Sequence, residues 1–266
     1  MNDLLETDVL VIGCGIAGGT AALQLADAGV AVTVITRATA PESSNTNWAQ
    51  GGIVYEGQND SPELLAQVID HAGAQFTNPE AVHILAEEGP QAVRDILLDK
   101  IGVPFDREPN GDLSLVIEGS HAVPRIIHAT DATGRAIEIG MLNALQSHPN
   151  VTLLAGHTAI DLLTPNHNGN NRLSVYKRPF CVGAYVLNRE TGQALRCLAK
   201  KTVLATGGLG QIFLRTTNPK GSRGDGLAMA YRAGARVINC EFIQFHPTTF
   251  FKRGAPNFLI SVAARG

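Results

Sequence analysis

The sequence predicts an α/β fold of the Rossmann-like, dinucleotide-binding type, and three observations carry that expectation. A short apolar run, Asp8–Ile12 (DVLVI), leads directly into Gly13-Cys14-Gly15-Ile16-Ala17-Gly18. An Ala/Leu-rich stretch of helical length follows, closed by Gly29. A second run rich in β-branched residues, Val30–Thr36 (VAVTVIT), then completes a βαβ unit. The GxGxxG spacing has a physical reading in that context. The first glycine turns the chain, the second lets backbone approach a diphosphate, and the third lets helix pack on strand. The diphosphate sits at the helix N-terminus, where free N–H groups and the helix dipole favour negative charge.

Each element follows in order. The first strand is continuously apolar, as expected for a strand buried on both faces of a parallel sheet. The helix runs from about Ala17 to Ala28. In the standard fingerprint the second strand ends in an acid that hydrogen-bonds the adenosine ribose, but here Thr36-Arg37 stands in that place. An Arg there can instead accept a 2′-phosphate, so at this point NADP and a flavin both stay open. Residues 43–52 (SSNTNWAQGG) form a polar, amide-rich loop holding the chain's single Trp. Two helices come next: Ser61-Pro62-Glu63 and Asn78-Pro79-Glu80 each supply an N-cap, a Pro in the first helical position and an acid in the first turn. Residues 102–125 are loop-rich with room for short strands. Thr133–Ser147 reads as a helix and Val151–Leu154 as a strand returning to the sheet. Within 158–205, the runs TAIDLLT, CVGAYVLN and QALRCLAKKTVLAT read as antiparallel strands inserted in the α/β framework. Gly224–Gly234 is a short helix.

Composition narrows the partners. The 266 residues, 44% hydrophobic and 17% charged, suffice for one sizeable core or two coupled domains. The net charge is -3 with no Lys/Arg cluster, which argues against nucleic acid. No apolar run reaches the ~18 residues of a membrane span. No Lys or Arg precedes Arg37, so a positively charged targeting peptide is not expected. Cys14, Cys181, Cys197 and Cys240 are scattered without a CxxC pair. They read as reduced, mostly buried thiols of a cytoplasmic protein.

Further residues stand out chemically. Lys200–Gly210 is an apolar strand ending in Ala205-Thr206-Gly207, placed to touch a dinucleotide. Asp225 opens a helix, where it can cap. Gln244, His246 and Thr248 alternate through EFIQFHPTTF and would share one face of an extended segment, lining a pocket. Glu118, read alone, is a solvated loop acid. His121 and His128, with no Cys partner, make no recognisable metal site.

The segments VLVIGCGIAGG, WAQGGI, EGSH…RIIHATDATG, VLATGG, TNP…GDGLAMAYRAGA and EFIQFHPT, in this order, resemble the succinate dehydrogenase/fumarate reductase flavoprotein family. The resemblance runs from about Thr7 to about Ile260 and is strongest to the family's aspartate-oxidising members. It implies a Rossmann-like FAD-binding domain over residues 1–239, with an inserted antiparallel β element. It also implies the start of a substrate-capping domain at 240–266. Gly13 to Gly18, Arg37, Ala205, Thr206, Gly207 and Asp225 would hold FAD. The loop Asn45, Thr46, Asn47, Trp48, Ala49, Gln50, Gly51 and Gly52 would wrap it near the ring and pyrophosphate. Membrane-bound members carry in this loop a His bonded to the flavin. The matching position here is Asn45, which has no such nucleophile, so non-covalent FAD is implied. Glu118 matches the position that reads the α-ammonium of aspartate, where succinate-specific relatives carry an apolar residue. Gln244, His246 and Ser261 would attend the carboxylates.

The implied activity is oxidation of L-aspartate to iminosuccinate, with O2 or fumarate reoxidising the flavin. The product would pass to quinolinate synthase at the start of NAD biosynthesis. Some features depart from the family. Val262 stands where an acid is usual and Ala122 where a Ser is common. The sequence also stops at Gly266, before the Arg taken as the family's acid/base. An incomplete form is therefore expected. The alternatives are a soluble fumarate reductase or succinate dehydrogenase-like flavoprotein, and an inert flavin-binding fragment.

Overall fold

The computed structural model describes residues 3–119, 121–130, 132–245, 248–250, 252 and 258–260. Among them the chain forms β1 (Leu4–Ile12), α1 (Ile16–Asp27), β2 (Val32–Ile35), the single turn α2 (Asn45–Trp48), β3 (Ile53–Val54), α3 (Pro62–Ala72) and α4 (Pro79–Ala92). It continues through β4 (Ile126–Ile127), α5 (Thr133–Ser147), β5 (Val151–Leu154), β6 (His157–Leu162) and the short α6 (Pro165–Asn168). After these come β7 (Gly183–Asn188), β8 (Ala194–Leu204) and α7 (Asp225–Arg232). Two compact units result: Met1–Thr46 with Met141–Phe258, and Asn47–Gly140 with Leu259–Gly266.

The first unit is built on a six-stranded sheet in the order β5-β2-β1-β8-β7-β6. β1 pairs in parallel with β2, from Val9↔Val32 to Ile12↔Ile35, and with β8 along its whole length, and β5 adds in parallel to β2. β6–β7 and β7–β8 are antiparallel. The insert therefore stands on the sheet's far side, as the three apolar runs implied, and its last strand returns parallel to the first. β1 begins earlier than the apolar run did, because Leu4–Thr7 pair with Arg196–Ala199 of the long β8. The core fills both faces of these central strands. All four residues of β2 are buried, and so are Ala22, Leu23 and Ala26 of α1 and Met141, Leu142 and Leu145 of α5. Leu10, Ile12, Ile35, Leu162, Ala184, Val186, Cys197 and Met229 form a single cluster.

In the second unit both expected caps are present. Ser61 Oγ accepts the Leu64 N–H at 3.2 Å, and Asn78 Oδ1 accepts the Glu80 and Ala81 N–H groups at 3.0 and 3.4 Å. α4 runs through Pro90 and goes on as a wider, π-type helix over Val93–Lys100. Pro has no N–H to give its own turn. β3 and β4 pair antiparallel. Beside them Arg125 is fully buried, with its Nη2 2.8 Å from Asp60 Oδ1.

Among the described residues no helix is long and apolar enough to cross a membrane. Cys14 and Cys197 are buried, Cys181 is half-buried and Cys240 is exposed. Burial pushes the Cys197 thiol up to about 11.

Candidate functional site

In the first unit a cavity of about 430 Å³ opens at the carboxyl ends of β1, β2 and β8. This is where open α/β sheets place their ligands. Its wall takes Gly13, Cys14, Gly15, Ile16 and Ala17 from the β1–α1 turn, Arg37 from the end of β2, and Asn45 and Thr46 from the polar loop. Ala205, Thr206 and Gly207 come from the end of β8, and Asp225 from the start of α7.

The turn can take this shape only with glycine at its key places. Gly13 has φ +110°, and a Cβ there would collide with the Ala205 carbonyl. Gly18 stands apart from the cavity wall. A Cβ at Gly18 would strike the Gly13 carbonyl, so its role is the close packing of helix on strand. Gly15 stands at the N-cap position of α1 and has no side chain to cap it, and the first turn holds no acid. Thr46 Oγ1 accepts the Ile16 N–H at 3.0 Å, tying the polar loop to the helix start. On the loop's other side Asn45 Nδ2 donates to Ser222 Oγ at 2.7 Å.

The β2 end carries positive charge. Arg37 Nη1 lies 3.9 Å from Asp225 Oδ2, and Arg223 Nη2 lies 2.8 Å from the same atom. Burial holds the Arg37 guanidinium below its usual range, with the charges of Arg223 and Arg189 adding to the effect and Asp225 opposing it. Asp225 is not a helix cap: Gly224 takes that position, with φ +77°.

Asn47, Trp48, Ala49, Gln50, Gly51 and Gly52 belong to the second unit and are not part of this cavity wall. There the Ala49 carbonyl accepts the Gly134 N–H at 3.0 Å. Half-buried Glu118 brings Oε2 to 3.6 Å from where a Gly51 Cβ would lie. The Glu118 carbonyl accepts the His121 N–H at 3.4 Å. His121 Nδ1 is buried without a hydrogen-bond partner among the described residues. Burial, then the Arg125 charge, holds the imidazole below its usual range, against the pull of Asp60 and Glu118. His128 Nδ1 lies 2.9 Å from Asp106 Oδ2. Gln244 is exposed, and His246 and Ser261 lie outside the described residues.

Sequence reasoning missed part of the wall. Ser43, Ser44, Ser222, His157, Thr158 and Ala159 also line the cavity. Ser222 sits in the Gly-rich GSRGDG segment, so its neighbour Asp225 was a usable signal. His157–Ala159 open β6 and carry no local signal, since only the antiparallel insert brings them there.

Comparison with known proteins agrees with this geometry. The model of the FAD binding domain family matches residues 8–266. L-aspartate oxidase 1 of Ralstonia nicotianae is 44% identical, over 98% of this chain and 48% of its own length. L-aspartate oxidase of Halobacterium salinarum is 44% identical over 100% of this chain and 50% of its own. The chain thus spans about half the length of the curated relatives it matches. Among solved structures, Mycobacterium smegmatis Sdh1 in complex with UQ1 superposes with a TM-score of 0.85 at 28% identity, covering 100% of this chain and 44% of that one.

Proposed function

The chain belongs to the FAD binding domain family, with FAD as its cofactor, and from that premise we propose that it supplies the FAD-binding framework of an L-aspartate oxidase. The observation that carries this reading is the 44% identity, across nearly all of the chain, to proteins named for that activity. The residues present fit the cofactor. The turn at Gly13–Ala17 places the start of α1 at the cavity wall, with only the Ile16 N–H taken up by Thr46 Oγ1, so the helix dipole is presented to a diphosphate. Glycine in that turn admits the close backbone approach a bound dinucleotide needs.

In this reading Gly13 to Gly18 shape the diphosphate seat, and Thr46 and Asn45 hold the loop that closes beside it. Ala205, Thr206, Gly207, Arg37 and Asp225 line the remainder. Asn45 offers no nucleophile, so FAD is held non-covalently. Asn47 to Gly52 face the flavin end. Glu118 reads the α-ammonium of L-aspartate, and Gln244, His246 and Ser261 take its carboxylates. When bound, FAD accepts the hydride that turns aspartate into iminosuccinate, and it is reoxidised by O2 or fumarate. The protein contributes orientation and charge complementarity. Residues 1–239 are the FAD-binding domain and 240–266 begin the capping domain. The product is handed to quinolinate synthase, in the cytoplasm.

The likeness to Sdh1 favours a second reading, a succinate-oxidising or fumarate-reducing flavoprotein, against which Glu118 stands. Anaerobic titration of the FAD-loaded protein decides between the two by flavin absorbance. L-aspartate is expected to bleach the flavin and succinate is not. Glu118→Gln should weaken the aspartate response, because it removes the charge that complements the α-ammonium. Bleaching by succinate alone would place the protein with the second reading. No bleaching by either, with FAD bound, would mark an inert flavin-binding protein.

A further inference from the structure

The connection between β6 and β7 is larger than the fold requires. The two strands are antiparallel neighbours, which a turn of about two to five residues can join. The chain instead runs from Leu163 out to Val182 before it re-enters the sheet. Its base is closed, since the Val182 N–H reaches the Leu163 carbonyl and the Leu163 N–H the Gly183 carbonyl, each at 2.8 Å. Long connections held on a rigid scaffold are where binding functions concentrate. This one is ordered at its tip as well. A short 3-10 helix, Arg172–Tyr176, starts behind Asn171, whose Oδ1 accepts the Leu173 N–H at 2.9 Å. Ser174 is buried, and its carbonyl accepts the Lys177 N–H at 3.1 Å.

What faces outward there is apolar and basic. Leu173, Val175, Tyr176 and Phe180 are 66%, 57%, 86% and 54% exposed. Arg172, Lys177 and Arg178 stand exposed among them. Among the described residues none of these three cations has an ion-pair partner. No Asp or Glu occurs from Pro165 to Asn188, so the patch is positive on a chain whose net charge is -3. Side chains this exposed form a ridge rather than a groove, and a ridge does not receive a peptide. It suits a surface that yields around it and is itself negative. At a lipid surface apolar tips enter the acyl boundary, while Arg and Lys reach the phosphates beside them. Each cation close to an anionic leaflet adds to the attraction within a Debye length. We propose that the tip of the β6–β7 connection, residues 172–180, is a docking surface for an anionic phospholipid membrane, which holds the protein peripherally.

The test is co-sedimentation of the FAD-loaded protein with vesicles of phosphatidylcholine, alone or with one third phosphatidylglycerol. Affinity for the anionic vesicles is expected to be at least about tenfold higher, and to fall about tenfold as salt screens the cations. Lys177→Gln with Arg178→Gln should weaken it by about tenfold, as should Tyr176→Ser with Phe180→Ser. All four side chains are exposed, so Tm and bound FAD should stay unchanged in both double variants. Tyr176→Trp should gain blue-shifted emission on anionic vesicles, because the indole leaves water. Equal binding to both kinds of vesicle, or to neither, would overturn the proposal. Loss of binding in the charge variant alone, with no blue shift, would also overturn it and favour an acidic protein partner. Binding that survives both double variants would belong to another exposed face, such as Ile212–Leu214, and would overturn it too.

Discussion

Arg125 shows at the scale of a residue how this chain handles charge away from water. The side chain is wholly buried, and its Nε and Nη1 have no hydrogen-bond partner among the described residues. Asp60 therefore carries its compensation, while also accepting the Gly57 and Ser61 N–H groups at 3.2 and 2.8 Å. Removing one member of such a pair leaves an uncompensated buried charge, at a cost of about 3–5 kcal/mol, whereas replacing both with apolar groups is often neutral. Asp60→Asn should lower the unfolding free energy by that amount in a urea titration. Adding Arg125→Met should restore most of it. An Asp60→Asn protein as stable as the parent would show that the pair contributes nothing. Neither residue stood out in the sequence, because burial is a property of the folded neighbourhood and both types are usually exposed.

Elements were legible where their signals are local. The helix Thr133–Ser147 and the strand Val151–Leu154 occur with the bounds read from the sequence. α3 and α4 begin at Pro62 and Pro79, behind the side chains expected to cap them. Ser61→Ala and Asn78→Ala should each cost about 1 kcal/mol, with glycine costing less, because each cap satisfies otherwise orphaned N–H donors. A shifted urea midpoint at unchanged slope is the readout. Three features escaped the local signals. The polar loop contains a helical turn at Asn45–Trp48, α4 passes through Pro90 into a π-type stretch, and β1 extends back to Leu4. In the last case a partner strand supplies what propensity does not, since Leu4–Thr7 are held by hydrogen bonds to β8.

For the whole molecule, cofactor and stability are linked. A ligand that binds only the folded form adds about 2.7 kcal/mol at a hundredfold excess over Kd. FAD should therefore raise Tm by several degrees in a concentration-dependent way, and stripping it should return Tm to the apoprotein value. A Tm indifferent to FAD would remove the cavity as its site. What the sequence determined by itself was the βαβ unit, the glycine turn, the helix caps and the insert, because strand and helix periods and the steric demands of glycine act over a few neighbouring residues. The tertiary structure decided the rest of the cavity. It set Asn45 against Ser222, brought the first residues of β6 to the wall, and joined Arg189 to Arg37 across 152 positions of chain. Such pairs have no spacing to read. They exist only once the parallel and antiparallel registers of one sheet bring distant strand ends together.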